Sequence, residues 1–195
     1  MIKVGITGGM GSGKSLVCQV FERLGIPVYY ADEAARKLME HDAVIRHDLM
    51  AWLGEDIYAG NSLDRLKMAG LIFTNPELLK IVNRIVHPRV AVDFQNWCDS
   101  YENKPYVIQE SAILIESEAY RFVDFIILVT APEDVRFNRV ITRDGMTPEK
   151  IHAIMKNQWP DNEKASRSQF VLPNDNKSLI LPGILDLHSR LVQVN

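Results

Sequence analysis

The sequence has few of the features that mark secreted, membrane or disulfide-rich proteins. It contains only two cysteines, Cys18 and Cys98, and these form neither a CxxC pair nor a metal-ligand spacing. Both lie within helical patterns, which favours buried thiols in a reducing compartment. No apolar run approaches the roughly 18 residues of a membrane-spanning helix, and no signal peptide is visible before the apolar strand at residue 2. We therefore expect a cytoplasmic protein without a membrane partner.

The charge of the chain is nearly balanced. Lys and Arg number 22 against 25 Asp and Glu, which gives a formal net charge of −3 at pH 7. Domains that bind nucleic acid are usually basic, so we expect no nucleic-acid partner. A hydrophobic fraction of 47% supports a continuous core, and 195 residues suit one α/β domain with a small insertion.

One motif carries most of the functional information. Residues 8–15 read Gly-Gly-Met-Gly-Ser-Gly-Lys-Ser and match the phosphate-binding pattern G-x-x-x-x-G-K-[ST] in full. An apolar strand at residues 3–7 precedes this phosphate loop, and an amphipathic helix at residues 16–24 follows it, as the motif requires. A glycine-rich turn with a chance Lys-Ser pair is the alternative. The context favours a nucleoside triphosphate site.

Each residue type in the phosphate loop has a physical role. Glycines allow the backbone to turn its N–H groups around a phosphate, and the helix N-terminus adds donors and a positive dipole end. We expect Lys14 to reach the β- and γ-phosphates and the Ser15 hydroxyl to ligate Mg²⁺. The expected ATP-binding residues are Gly9, Gly11, Ser12, Gly13, Lys14, Ser15 and Leu16.

Strand-like and helical patterns alternate along the rest of the chain. Two of the strand-like segments are nearly continuous apolar runs, as in parallel strands that are covered on both faces. Several helical segments separate the second strand from the third. This order predicts an α/β fold with a doubly wound, parallel, five-stranded sheet. The five predicted strands are residues 3–7, 28–30, 106–108, 125–129 and 170–172.

The region between the second and third strands is almost wholly helical. Asp42 is expected to cap a helix over residues 43–53, and Asn75-Pro76 to begin another. His87-Pro88 is expected to break that helix and to start a further one that ends near Tyr101.

Two carboxylates follow predicted strands at the edge of the sheet where ligands bind. Asp32 comes directly after the second strand and could accept a proton from an attacking hydroxyl. It could equally cap a helix that begins at residue 33, and position alone leaves both roles open. Glu110 ends the third strand, where it could contact Mg²⁺ or simply meet solvent.

Three arginines share one face of a predicted helix. Arg136, Arg139 and Arg143 are spaced by three and four residues. Such a face fits a lid that closes over a transferring phosphate, with Arg139 and Arg143 as its main residues. The alternative is a solvated basic face that is paired with acids such as Glu133 and Asp134.

The sequence lacks the patterns that would indicate a guanine-nucleotide site or a histidine metal site. The guanine signature N-K-x-D is absent, because residues 174–177 carry similar letters in the wrong order. Four of the five histidines have no mutual spacing that suits a metal. His87 differs because it lies in the helical region that would face an acceptor substrate.

These residues together resemble the dephospho-CoA kinase family, whose members phosphorylate a ribose 3′-hydroxyl to complete coenzyme A. The resemblance covers essentially the whole chain in order, and six or more matching segments in register make it specific. The matching segments are residues 6–15, Tyr30-Ala31-Asp32, Leu63-Asp64-Arg65, Ile72-Phe73-Thr74-Asn75-Pro76, Ile85-Val86-His87-Pro88, Arg139 with residues 142–145, Gln158, and residues 170–175.

The resemblance implies a P-loop kinase that transfers phosphate from ATP to dephospho-CoA with Mg²⁺. It implies that Asp32 acts as the base and, with His87, binds the acceptor. Lys14, Arg139 and Arg143 are then the other catalytic residues. In this scheme residues 1–32 and 105–195 form the nucleotide-binding core, residues 33–104 form the acceptor-binding insertion, and residues 136–167 form a lid region.

The chain departs from the family pattern at three places. Residues 110–116 read Glu-Ser-Ala-Ile-Leu-Ile-Glu where the family usually has D-x-P-L-L-[FV]-E. Tyr30 replaces the first Asp of D-A-D, and Leu16 replaces a common Thr. Two other functions share the phosphate loop: a nucleoside or nucleotide kinase, and a non-catalytic ATP-dependent switch that would need neither Asp32 nor the lid arginines.

Overall fold

The computed structural model describes residues 1–194, without the side chains of Phe73 and Thr74. Those two side chains, which fall in one of the family-like segments, and residue 195 of the predicted core lie outside the described part. The chain forms two compact units. The first unit is Met1–Tyr30 with the chain from Cys98 onward, and the second is Ala31–Trp97.

The first unit contains a five-stranded parallel sheet, which confirms the predicted fold class. In chain order its strands are β1 (Ile2–Thr7), β2 (Val28–Tyr30), β5 (Tyr106–Glu110), β6 (Phe125–Thr130) and β7 (Phe170–Pro173). They lie in the order β2-β5-β1-β6-β7 across the sheet, and every neighbouring pair is parallel. The carboxyl ends of parallel strands meet at one edge of the sheet, which is where such folds bind ligands.

Five helices and a 3₁₀ turn at Ala119–Phe122 complete the first unit. The helices are α1 (Lys14–Arg23), α6 (Glu133–Asp144), α7 (Pro148–Lys156), α8 (Asp161–Ala165) and α9 (Ile180–Gln193). One face of the sheet packs against α1 and α9 in a core cluster. The α9 contribution is a stripe at helical spacing, Ile184, Leu187 and Leu191, each at most 6% exposed.

The expectation of buried thiols is confirmed. Cys18 and Cys98 are both buried and free. Burial raises the pKa of the Cys18 thiol, and Cys18 packs in the core cluster of the first unit. It therefore behaves as a small apolar core residue.

The second unit is helical, with one short hairpin that the sequence analysis missed. Its elements are α2 (Ala31–His41), α3 (Ala43–Leu53), a 3₁₀ turn (Glu55–Ile57), β3 (Tyr58–Ala59), β4 (Ser62–Leu63), α4 (Arg65–Thr74) and α5 (Pro76–Asp99). Strands β3 and β4 pair antiparallel across Gly60-Asn61. A two-residue Gly-Asn turn between short strand-like pairs is a known hairpin signal.

The two predicted helix caps of the second unit are confirmed. The Asp42 side chain accepts the N–H groups of Val44 and Ile45 at the start of α3. The Asn75 side chain accepts the N–H groups of Glu77 and Leu78 at the start of α5.

The predicted break at His87-Pro88 is wrong. Helix α5 runs through Pro88 without interruption. Proline removes one hydrogen bond and crowds the preceding turn. Buried side chains on both sides of it, Val86 and Val90 among them, pack the helix into the second unit and outweigh that cost.

The predicted start of α2 is also wrong, by two residues. The helix begins at Ala31, so Asp32 lies inside its first turn and does not occupy the cap position. A carboxylate in the first turn still interacts favourably with the helix dipole. Among the described residues, none of the helices is long and apolar enough to cross a bilayer.

Candidate active site

The phosphate loop has the backbone conformation that its glycines permit. Gly11 and Gly13 have φ values of 79° and 101°, in the left-handed region that favours glycine. A Cβ atom at Gly13 would lie 2.1 Å from Nδ2 of Asn174. The loop therefore requires glycine at this position for both conformation and space.

Backbone donors lie at the end of the phosphate loop. The Ser12 N–H donates to the Gly9 carbonyl at 3.1 Å, which closes a turn, and the Val17 N–H makes the first α1 bond to Gly13 at 3.2 Å. The N–H groups of Ser15 and Leu16 precede that bond, so the helix itself supplies them with no acceptor. Gly13 caps α1 without a side-chain bond. This end of the loop has the geometry that binds anions at helix N-termini.

Lys14 lies across the phosphate loop and is only 8% exposed. Its Nζ donates to the Gly8 carbonyl at 3.0 Å and lies 3.8 Å from Oε1 of Glu110. Glu110 is 7% exposed, so the alternative of a carboxylate that meets solvent does not describe it. The site therefore places a buried cation and a buried carboxylate next to each other.

Two buried hydroxyls lie at the same place in the fold. The hydroxyl oxygens of Thr7, at the end of β1, and of Ser12, in the phosphate loop, have no hydrogen-bond partner within the part of the chain that the structure describes. Buried polar groups normally have partners. These hydroxyls are therefore available to a ligand or to water.

Arg139 holds the outer side of the phosphate loop. Its Nη1 donates to the carbonyls of Gly11 and Ser12, each at 3.3 Å, and its Nη2 donates to the Asn174 carbonyl at 3.0 Å. The Asn174 side chain donates to the Ser12 carbonyl at 2.8 Å. Helix α6 and the turn after β7 together hold the loop in place.

The other two arginines of the predicted lid lie in different surroundings. Arg136 packs over the phosphate loop, and its Nη1 approaches Gly9 so closely that a Cβ atom at that position would overlap it. Arg143 has a side chain that is 61% exposed, and it pairs with Asp144 through two hydrogen bonds of 2.7 Å. The structure therefore brings Arg136 and Arg139 to the loop and places Arg143 beside its own neighbour.

The two candidate acceptor residues belong to the second unit. Asp32 is exposed in the first turn of α2, two residues after β2 ends. His87 is half-buried in α5, and burial lowers the pKa of its imidazole. A neutral imidazole at pH 7 can donate one hydrogen bond and accept another.

Sequence reasoning missed a buried ion pair that joins the predicted lid region to the segment after β5. Lys164 in α8 is fully buried, and its Nζ donates to Oε1 of Glu116 and to the Ala112 carbonyl, both at 2.9 Å. The same Glu116 oxygen accepts the Trp159 N–H at 2.9 Å. The partners are far apart in the chain, so no local spacing indicates the pair.

Gln158 also contacts the phosphate loop. Its Oε1 accepts the Met10 N–H at 2.8 Å, across 148 residues of chain. The sequence analysis included Gln158 only as a family match and assigned it no role. This bond links the turn between α7 and α8 to the loop.

Among the described residues there is no group of three or more His, Cys, Asp or Glu side chains that could hold a metal ion. Mg²⁺ does not need one, since it is usually held by one or two protein oxygens together with substrate phosphates and water. The Ser15 hydroxyl at the start of α1 fits that kind of site.

A parallel sheet with a phosphate loop after its first strand, a buried lysine and arginines on the loop defines a P-loop kinase. A model of the Dephospho-CoA kinase family matches residues 2–179 of the chain. The chain belongs to the dephospho-CoA kinase family, and it is a kinase.

Three individual proteins illustrate the similarity. The dephospho-CoA kinase of Bacteroides fragilis is 40% identical over 192 residues, which cover 98% of this chain and 94% of that protein. The crystal structure of TT1252 from Thermus thermophilus has a TM-score of 0.84 and 32% identity, over 100% of this chain and 98% of that one. Dephospho-CoA kinase from Campylobacter jejuni shares the fold, with a TM-score of 0.66, 21% identity and coverage of 98% and 94%.

Proposed function

We propose that this kinase transfers the γ-phosphoryl group of ATP to the ribose 3′-hydroxyl of dephospho-CoA, which gives coenzyme A and ADP. The observation that carries this proposal is the preformed phosphate loop with Lys14 held across it at 3.0 Å from the Gly8 carbonyl. The family to which the chain belongs supplies the acceptor.

ATP binds with its phosphates in the phosphate loop. The N–H groups of residues 13–16, at the end of the loop where α1 begins, and the Lys14 ammonium surround the β- and γ-phosphates. ATP binding displaces the Lys14 ammonium from the Gly8 carbonyl, and the ammonium then contacts the phosphoryl group that is transferred. The proposed ATP-binding residues remain Gly9, Gly11, Ser12, Gly13, Lys14, Ser15 and Leu16.

Mg²⁺ would be held by the Ser15 hydroxyl, by phosphate oxygens and by water. When bound it neutralises charge on the β- and γ-phosphates. Glu110, buried 3.8 Å from the Lys14 ammonium, would hold that ammonium in position and would contact Mg²⁺ directly or through water.

The acceptor is held by the helical insertion, residues 33–104, together with Asp32. The Asp32 carboxylate orients the ribose hydroxyl and accepts its proton as the phosphoryl group transfers in line. His87, which burial keeps neutral, contributes a hydrogen bond to the acceptor without adding charge.

The lid region, residues 136–167, acts in the transition state. Arg139 and Arg143 supply positive charge to the phosphoryl group when the lid closes. Arg139 already lies on the phosphate loop, whereas Arg143 must exchange Asp144 for the substrate phosphate. The two buried free thiols support a reducing compartment, and we propose the cytoplasm.

An acceptor panel tests the function. ADP release would be coupled to a spectroscopic signal with dephospho-CoA, adenosine, AMP and shikimate as acceptors, and the product phosphate would be located by ³¹P NMR. We expect turnover with dephospho-CoA alone and phosphate on the 3′-oxygen. Preference for adenosine or AMP would indicate a nucleoside or nucleotide kinase, and ATP binding without transfer would indicate a switch.

A further inference from the structure

The turn between α7 and α8 contacts the phosphate loop through one side chain. Oε1 of Gln158 accepts the Met10 N–H at 2.8 Å in a partly buried position. A glutamine oxygen is a neutral acceptor, so the contact adds no negative charge beside a site for phosphate. The loop amide is bonded to protein before any nucleotide arrives.

Met10 lies in the part of the phosphate loop that precedes Gly11, and residues 9–10 form the outer arm of the loop. The N–H groups of Ser15 and Leu16 lie in the first turn of α1, where the helix supplies them with no acceptor. The Ser12 N–H is already used within the loop, by Gly9. The Gln158 bond therefore fixes the arm at residues 9–10 and leaves the donors of the helix end to the phosphates.

Gln158 is itself held from two sides. Its backbone N–H donates to the Met155 carbonyl at the end of α7. The next residue, Trp159, donates its N–H to Glu116, and the fully buried Lys164 pairs with the same carboxylate. These bonds attach the turn to the segment after β5, so the glutamine oxygen is presented from a fixed support.

A stacked guanidinium strengthens that support. Arg167 lies 5.1 Å from the Trp159 ring centroid and 5.8 Å from that of Tyr120. Cation–π contacts of this kind restrict the rings as well as the arginine. The turn that carries Gln158 is thus anchored by charge, hydrogen bonds and stacking.

We propose that Gln158 is a positioning residue for the nucleotide: it orders the outer arm of the phosphate loop from the anchored turn between α7 and α8. This inference rests on the proposed function, because it takes the ligand of the loop to be ATP. Without the Gln158 oxygen, the Met10 N–H is free to move, and part of the binding energy of ATP goes into ordering the loop. Affinity for the nucleotide falls, while the acceptor is unaffected.

The test measures the hydrogen bond between Met10 and Gln158 separately from the kinase reaction. Gln158→Met keeps the length of the side chain and removes the acceptor, and Gln158→Asn withdraws it by one methylene. Asn157→Ala, an exposed neighbour in the same turn, is the matched control. Amide exchange of Met10 is measured by NMR on the nucleotide-free proteins, and KM is measured for ATP and for dephospho-CoA.

We expect Met10 exchange to become at least several-fold faster in both Gln158 variants and to stay unchanged in the control. The KM for ATP should rise about three- to tenfold, the usual value of one hydrogen bond, with the KM for dephospho-CoA within about twofold of wild type. Faster exchange with an unchanged KM for ATP, unchanged exchange, or an equal rise in both KM values would overturn the proposal. A wild-type protein that failed to phosphorylate dephospho-CoA would refute the function, and the exchange measurement would still test the bond.

Discussion

The phosphate loop and the candidate acceptor residues differ in how they are held. Arg139 donates to carbonyls of the loop, Gln158 accepts the Met10 N–H, and the buried Lys14 side chain lies across the loop. Asp32 is an exposed side chain in the first turn of α2, and His87 is half-buried in α5. The proposed nucleotide site is held in place by side chains around it, whereas the candidate acceptor residues present groups that a substrate would have to contact.

This difference predicts a division of labour. A preformed anion site lowers the cost of ordering the triphosphate when it binds. A base needs only to be within hydrogen-bond reach of a hydroxyl once the acceptor is bound. Changes in the phosphate loop should therefore act on the nucleotide, and changes in the second unit should act on the acceptor or on proton transfer.

The largest effect is expected at Asp32. Asparagine keeps the size of the side chain but cannot act as a base, and it loses only the modest interaction of a first-turn charge with the helix dipole. Asp32→Asn should lower kcat by about 10²–10⁴-fold, the usual contribution of general acid–base catalysis. Tm and ATP affinity should stay near wild type. A stable Asn enzyme with normal turnover would eliminate the base assignment.

Lys14 should come next. Lys14→Ala removes a charge that interacts with the transferring phosphoryl group, and we expect kcat to fall by about 10²–10³-fold, as for loss of one transition-state donor. Steady-state kinetics with saturating ATP checks this. Lys80→Ala, on an exposed part of α5, is the control and should be silent. Near-normal turnover from Lys14→Ala would mean that the loop does not serve phosphoryl transfer.

The lid arginines should differ in size of effect. Arg139→Ala removes the bonds to the carbonyls of Gly11, Ser12 and Asn174 that hold the phosphate loop, so kcat should fall about 10- to 100-fold. Arg143→Ala should lower kcat by less, because that side chain is exposed and paired with Asp144. Arg190→Ala, exposed on α9, controls for loss of charge. A larger loss from Arg143 than from Arg139 would place the catalytic charge elsewhere on α6.

A smaller effect concerns acid stability of the second unit. Burial alone would raise the pKa of Asp42, but the Ile45 and Val44 N–H groups and the Arg89 guanidinium outweigh it and hold that pKa below its ordinary value. The unfolded chain therefore binds a proton first as the pH falls. The stability that Asp42 contributes is complete above its ordinary pKa of 3.8 and is lost as the pH falls through the lower, folded value.

The matching variant is Asp42→Asn, which keeps the cap and removes the ion pair with Arg89. We expect a loss of about 1 kcal/mol in the free energy of unfolding at pH 7, since the arginine is partly exposed to solvent. The difference from wild type should shrink below about pH 3.8, as urea titrations at several pH values would show. A difference that stayed constant down to strongly acidic pH would contradict the role of the charge.

Local patterns made the first unit predictable. The phosphate loop is a continuous segment of eight residues, and its strand and helix context can be read on either side. Parallel strands with both faces covered appear as apolar runs, which is why the five strands fall close to their predicted positions. The caps at Asp42 and Asn75 are equally local, because each depends on a side chain and the next few N–H groups.

The missed features depend on contacts between distant residues. Helix α5 continues through Pro88 because of tertiary packing, whereas the rule that proline ends a helix considers only the local sequence. The spacing of the arginines predicted a shared face but not that Arg136 would reach Gly9 while Arg143 paired with Asp144. The bond from Met10 to Gln158 spans 148 residues. The roles of the individual site residues remain predictions.

The division of labour is tested most directly by crossing two variants with two substrates. Ser15→Ala removes the proposed Mg²⁺ ligand in the phosphate loop, and His87→Ala removes the proposed acceptor contact in the second unit. KM is measured for MgATP and for dephospho-CoA in each. We expect Ser15→Ala to raise only the KM for MgATP and His87→Ala only that for dephospho-CoA, each by about tenfold. Equal changes in both values for either variant would contradict the account.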